Sequence, residues 1–283
     1  MSADAALLAD DRHCEALLRH YENFTVASRL TPRELRRDLT RVYAFARTTD
    51  DIGDETGDAL IATRRLEQWR RQVAAMFRGD APAGPVLRAL AVTVRRHALE
   101  EQPFQDLISA NLMDQSVSQY EDWPSLHAYC RLSASPVGRI VLRLFGVRDG
   151  DADALSDDVC VGLQLANFAQ DVSVDAARGR TYLLQQELRA LGPRGAIQAM
   201  CRRAHDLLQS GRDLERVVPR RLRAQLALYR LGGESIINAI ERAGWDTCRV
   251  RPVLGLQQRA RIVVRALPAV MVALRPEPVP SHG

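Results

Sequence analysis

The sequence predicts an all-α fold, a single domain whose helices surround a central cavity, and three observations carry that expectation. Apolar residues recur at helical spacing along the chain, with no convincing run of strand-like alternation. Helix-start signals stand ahead of the apolar stretches. Thr31-Pro32-Arg33-Glu34 joins a capping hydroxyl, a proline for the first helical position and a glutamate placed for a capping box. The 283 residues, 46% apolar and 26% charged, are enough for one large core and too apolar for wholesale disorder.

Taken in order, the helix opened by this signal runs to about Asp54, and Pro85, Pro103 and Pro124 each precede a further helical stretch. Gly79 to Gly84 and Gly146 to Gly150 read as connecting loops. Gly150-Asp151-Ala152-Asp153 resembles part of a calcium loop, but the later glycine and glutamate of an EF-hand do not follow, so it too reads as loop. Long helices are expected over 153–175, 196–217 and 220–243. No repeat of solenoid length is evident. The domain is expected to span 1–275, with 276–283 a disordered tail. The apolar run from Ala266 to Leu274 contains Pro268 and falls far short of the roughly 20 residues that cross a bilayer.

All 39 basic residues are arginine; against 35 acids they leave a formal charge of +4. This excess fits a solvated surface or an anionic partner such as a lipid surface or a diphosphate. No nucleic-acid partner is expected, because no zinc-finger spacing or RNA-binding motif accompanies the charge. Cys14, Cys130, Cys160, Cys201 and Cys248 contain no CxxC pair and suggest neither disulfides nor zinc. Asp4, Asp10 and Asp11 at the N-terminus do not read as a signal peptide, and a cytoplasmic location is expected. His13, His97, His127 and His205 show no metal-ligand spacing, and Trp69, Trp123 and Trp245 read as packing anchors.

Two clusters carry chemistry. Tyr43, Arg47, Asp50 and Asp54 follow at spacings of four, three and four, one stripe of a helix. Two carboxylates one turn apart suit a hard divalent cation such as Mg²⁺, which completes its shell with water and phosphate oxygens. Alone, the motif reads equally as a solvated acidic helix end. Gln164, Asn167, Asp171 and Asp175 form a second stripe, which is poor core material because buried charges need partners. Facing each other across a cavity, the four aspartates would repel by about 4 kcal/mol per close pair unless cations intervene.

With both motifs in view, the chain resembles the squalene/phytoene synthase family of head-to-head trans-isoprenyl diphosphate synthases over most of its length. The resemblance implies an isoprenoid synthase-type bundle. It also implies that Asp50, Asp54, Asp171 and Asp175 hold two or three Mg²⁺ ions. Arg47, Tyr129, Gln164, Asn167, Arg180 and Tyr182 match family positions that bind the substrate diphosphate, and His20 lies near them. Phe24, Tyr43, Val137 and Phe168 are expected to wall an apolar pocket, with ordinary core packing as the alternative. The stretches His20 to Phe24, Val26 to Leu30, Tyr129 to Arg131, Ser135 to Gly138 and Asn167 to Asp171 are most similar to the hydroxysqualene synthase branch of bacterial hopanoid biosynthesis. Thr25 and Gly53 depart from the proline and alanine expected there. A glycine costs a helix about 1 kcal/mol relative to alanine, so Gly53 is expected to loosen that end of the clamp.

The resemblance implies ionisation of presqualene diphosphate, rearrangement of the carbocation and capture by water, without NADPH, to give hydroxysqualene. Tyr129 or Asn167 is the expected holder of that water. Functional links to a presqualene diphosphate synthase and a hydroxysqualene reductase are implied as well. The alternatives within the family are squalene, presqualene diphosphate and phytoene synthases. A non-catalytic assembly factor with this fold is the alternative outside catalysis, against which stand all four aspartates. Val263, Val264, Ala266, Leu267, Val270 and Met271, flanked by Arg259, Arg261, Arg265 and Arg275, suggest peripheral contact with the inner face of a membrane; a terminal helix docked on the core is the alternative.

Overall fold

The structure is a computed structural model and describes residues 3–17, 31, 33–55 and 57–274. The described residues form α1 (Ala3–Leu17), α2 (Arg33–Asp54), α3 (Ala59–Phe77), α4 (Gly84–His97), α5 (Gln102–Met113) and α6 (Trp123–Ser133). These are followed by α7 (Ser135–Leu144), α8 (Gly150–Gln170), α9 (Val172–Ala177), α10 (Gln185–Val217), α11 (Arg220–Arg242) and α12 (Leu256–Leu274). The only strand-like pairing among them is an isolated parallel bridge between Gln119 and Thr181. Pro85, Pro103 and Pro124 stand in the first turns of α4, α5 and α6, where the missing N–H costs nothing. Asp122 caps α6 in a reciprocal box with Ser125.

Three expectations need correction. Gly150 to Asp153 is the first turn of α8, not loop, because Asp149 accepts the Asp151 N–H and starts the helix three residues earlier than expected. The helix expected over 153–175 breaks at Asp171, whose φ of −99° and ψ of 15° end α8 before the β-branched Val172 and Val174. Conversely, the helix expected from Ala196 begins at Gln185. Gly192, at a φ of 68°, interrupts it just before Pro193, a pair that reads in sequence as a stop.

One contiguous apolar core runs from Cys14 on α1 to Ile240 on α11, with α8 and α10 at its centre. α1 is tied on by charge. Arg41 is buried and grips Asp11 with Nε (2.7 Å) and Nη2 (3.0 Å), and its Nη1 donates to Asp38 (3.2 Å). Thr93 (2.7 Å) and Arg96 (3.2 Å) also donate to Asp38, and His97 Nε2 lies 2.8 Å from it. Burial pushes the Asp38 carboxyl up, but these hydrogen bonds and the Arg96 charge outweigh it and hold it below the usual range. Arg88 grips Asp10 in the same two-pronged way at 2.9 and 2.7 Å. α12 packs along α11, yet among its described apolar side chains only Ala266 is fully covered, whereas Val263, Val264, Leu267 and Met271 remain exposed.

Candidate active site

The first acidic motif closes α2, and the core beneath it fixes its direction. Phe45 is fully buried, stacks on Trp69 at 5.9 Å and meets Phe104 edge-on at 5.2 Å. Burying an aromatic of this size contributes roughly 2–3 kcal/mol. Trp69 donates its indole N–H to Thr49 (3.0 Å), and Thr49 donates to the Phe45 carbonyl (2.9 Å). Asp50 follows immediately and accepts from Asn111 Nδ2 on α5 (3.1 Å); Gln115, one turn further, donates to the Gly53 carbonyl (3.3 Å). A Cβ on Gly53 would come within 2.9 Å of the Asn111 amide oxygen. Gly53 therefore makes room for the amide that steadies Asp50, which corrects the expectation that it loosens this end.

Asp51 points elsewhere and is paired with Arg47 at 2.7 Å, an i,i+4 bridge whose guanidinium charge also reaches Asp50. Thr48, Asp51 and Ile52 of α2, with Glu55 just past its end, border a cavity of ≈360 Å³ together with His13 and Trp69. The lining of that cavity includes neither Asp50 nor Asp54.

Asp114, just past α5, completes this end of the bundle and was missed in the sequence. Tyr129 donates to its Oδ2 (3.0 Å), while its Oδ1 is buried without a protein partner among the described residues. The signal was the run Asn111-Leu-Met-Asp114-Gln115, three polar residues on one side of an otherwise apolar helix end. Arg180 stands opposite and pairs with Asp54 at 3.2 Å; its charge also reaches Asp114 and Asp175. The Gln119–Thr181 bridge puts it there: Thr181 donates its N–H to the Ser118 carbonyl (2.8 Å), and Gln185 to the Tyr120 carbonyl (3.0 Å).

Beside Arg180, Phe168 and Tyr182 stack with ring centroids 3.8 Å apart. Tyr129 lies 5.8 Å from Tyr182 and 6.3 Å from Phe168, so three of the expected substrate residues form one aromatic wall. Asp171, at the break after α8, is gripped by Arg251, and Gln170 beside it donates to the Pro252 carbonyl (2.6 Å). The segment after α11 is thereby fastened to the second motif. Asn167 is exposed and Gln164 partly so, each further back on α8. Tyr43 and Val137 lie deeper, with Val137 packed against the core. His20 and Phe24 lie outside the described residues.

Electrostatics separates these acids from those of the α1 network. Asp50, Asp114 and Asp175 are each pushed up to about 6, in every case chiefly by burial. Asp54 adds to the effect on Asp50 and Asp114, and Asp171 adds to it on Asp175; Asn111, Arg180 and Arg178 respectively oppose it. No three His, Cys, Asp or Glu side chains among the described residues form a metal-sized cage. The donors come instead as aspartate pairs with carboxylate and amide oxygens. That set fits a hard, largely hydrated cation that shares its shell with phosphate oxygens.

Residues 17–265 match the family model described as squalene/phytoene synthase. The chain belongs to the squalene/phytoene synthase family. Among solved structures it is similar to squalene synthase HpnC from Alicyclobacillus acidocaldarius, at 42% identity and a TM-score of 0.79, covering 85% of this chain and 96% of that one. A dehydrosqualene synthase at 21% identity, with a TM-score of 0.83 over 94% of this chain and 98% of that one, shares the fold. The presqualene diphosphate synthase of Rhodopseudomonas palustris is 34% identical over 171 residues, 60% of this chain and 61% of that protein. Phytoene synthase 1 of Arabidopsis thaliana is 32% identical over 191 residues, 65% of this chain and 45% of that protein. The chain thus spans about half to three fifths of these curated relatives.

Proposed function

We propose that this chain converts presqualene diphosphate to hydroxysqualene, releasing diphosphate in a Mg²⁺-dependent reaction that ends with capture of the carbocation by water. The observation that carries the reading is Arg180, paired with Asp54 of the first motif and reaching Asp175 of the second by charge, at an end of the bundle that gathers Asp50, Asp54, Asp114 and Asp175. A diphosphate with its counter-ions fits this arrangement. Asp50 and Asp54 on one side, and Asp171 and Asp175 on the other, would hold the cations. Bound there, Mg²⁺ would offset the negative charge that develops on the leaving diphosphate.

The remaining work falls to the chain itself. Arg180 and Arg47 orient the diphosphate by charge, and Tyr129, held by Asp114, presents a fixed ring beside it. Phe168 and Tyr182 shield the reacting carbon from bulk water on that side. Arg251 is a counter-charge that Asp171 must exchange when a cation arrives. Asn167, exposed near the second motif, and Gln164 behind it complete the polar side of the site.

A second reading, direct reduction to squalene with NADPH, is favoured by the name carried by the 42% identical relative. Incubation of the chain with presqualene diphosphate and Mg²⁺, with and without NADPH, separates the two by product mass. An alcohol formed at a rate indifferent to NADPH is the expected result. Squalene formed only with NADPH overturns it in favour of the second reading, and no diphosphate release at all overturns both.

We infer in addition that α12 rests on an anionic membrane surface. Its exposed Val263, Val264, Leu267 and Met271 run beside Arg259, Arg261 and Arg265, the composition of an interfacial helix. No helix among the described residues is long and apolar enough to cross a membrane.

A further inference from the structure

A polar chain lies deep in the bundle, away from the aspartates, where apolar packing is the rule. Tyr43 of α2 is hydrogen-bonded to Tyr229 of α11, and Gln225, one turn earlier on α11, donates its Nε2 to the same phenolic oxygen at 2.6 Å. Tyr229 Oη thus receives two donors and retains its own proton for a third partner. Gln225 is 3% exposed, and its Oε1 is buried without a protein partner among the described residues. A buried acceptor beside a hydroxyl with a proton to give is the setting in which proteins hold an internal water.

Beside the buried Gln225, the phenol of Tyr229 is not sealed in solid core. Tyr43, Tyr229 and Cys160 of α8 lie deep among the helices, yet each keeps a partly accessible side chain. Tyr43 precedes Asp50 by seven residues, so the chain sits about 10 Å below the aspartate end, within the length of an isoprenoid carbon skeleton.

We propose that Tyr229 and Gln225 hold the water that captures the carbocation, and so select alcohol over hydrocarbon. The proposal rests on the reading that the chain forms hydroxysqualene. Tyr43 is a positioning residue, orienting the Tyr229 hydroxyl. Ionisation breaks the carbon–oxygen bond to diphosphate. A lone pair of the held water then forms the new carbon–oxygen bond, and the oxonium loses one proton, which ends on the released diphosphate, the strongest base the reaction generates. A held water meets the cation at far higher effective concentration than a diffusing one. It also replaces Tyr129 and Asn167 as the expected holder, since Tyr129 is engaged by Asp114 and Asn167 faces solvent.

The test uses Tyr229→Phe and Gln225→Leu in the full chain, with presqualene diphosphate and Mg²⁺ in ¹⁸O-labelled water. The readout is labelled alcohol per diphosphate released, so that a general loss of turnover or of folded protein cancels. Both variants should lower that ratio by about five- to tenfold, the scale of one lost hydrogen bond, with proton-loss hydrocarbons appearing in its place. Restoration of the ratio by Gln225→Glu, which keeps the acceptor, supports the assignment further. An unchanged ratio in both variants overturns the proposal while leaving the alcohol reaction standing. Absence of labelled alcohol from the unsubstituted chain overturns the reaction and the proposal together.

Discussion

Two groups of aspartates, one at each end of α2, are treated in opposite ways by the rest of the molecule. Around α1, α2 and α4, Asp10, Asp11 and Asp38 meet Arg88, Arg41, Arg96 and His97. At the far end of α2, Asp50, Asp54, Asp114 and Asp175 have Arg180 and Arg47 close by and three of them are pushed up to about 6, whereas Asp38 is held low. Acids that serve the fold are neutralised by the fold. Acids at the far end keep raised values because their partial desolvation outweighs the arginines beside them, and that contrast distinguishes the two ends of α2.

The sharpest way to break the comparison is to remove one acid from each aspartate motif, Asp50 of the second group and Asp171 beside it. Asp50→Ala and Asp171→Ala should each slow diphosphate release on the order of 1,000-fold, about 4 kcal/mol in the barrier, with far-UV circular dichroism unchanged. Near-normal release from either variant would show that its carboxylate does no work on the leaving group. The same change in the first group should act on stability. Asp38→Asn strands part of the Arg41 charge in the core and should cost about 3 kcal/mol, roughly 6–10 °C in melting temperature.

Acidity should distinguish the groups in the opposite sense. Asp50, Asp114 and Asp175 are held above the unfolded carboxylate value of about 4, so the folded protein binds more protons than the unfolded chain up to about 6. Their contribution to stability without cations is therefore present at low pH and declines as pH rises through that window. Asp38, held low, contributes above the ordinary carboxylate value, and its contribution is lost as pH falls through its folded value. Mg²⁺ should accordingly raise the melting temperature by several degrees at pH 7.5, for about 2 kcal/mol of linkage, and by much less at pH 5. Equal shifts at both pH values would remove the desolvation account. The smallest expected effect concerns α12: Val264→Glu with Met271→Glu should weaken co-sedimentation with anionic vesicles about fivefold, near 1 kcal/mol.

Much of this was legible beforehand because it is local. Thr31 to Glu34, Pro85, Pro103 and Pro124 announced four helices by chemistry that acts within one turn, and the Asp50–Asp54 spacing put that pair on one helix face; Asp171 and Asp175 do not share one helix, because α8 breaks at Asp171. The Gly192-Pro193 break concealed the first turns of α10, since the same pair more often ends a helix. Asp114, Asn111 and Arg251 were not legible as site residues. Each matters only through a partner far away in sequence: Tyr129, Asp50 and Asp171 respectively. Tyr229 and Gln225 look like ordinary members of an amphipathic helix until α2 is laid against them.

The bridge between Gln119 and Thr181 has a bearing on the order in which the molecule assembles. It joins segments separated by all of α6, α7, α8 and α9, so its loop closes only after those helices have found one another. Arg180 reaches Asp54 only once that closure is made. A refolding chain should therefore acquire most of its helical signal before its diphosphate end exists. The Thr181 amide, protected by the Ser118 carbonyl, is the clock for that event in pulsed hydrogen exchange.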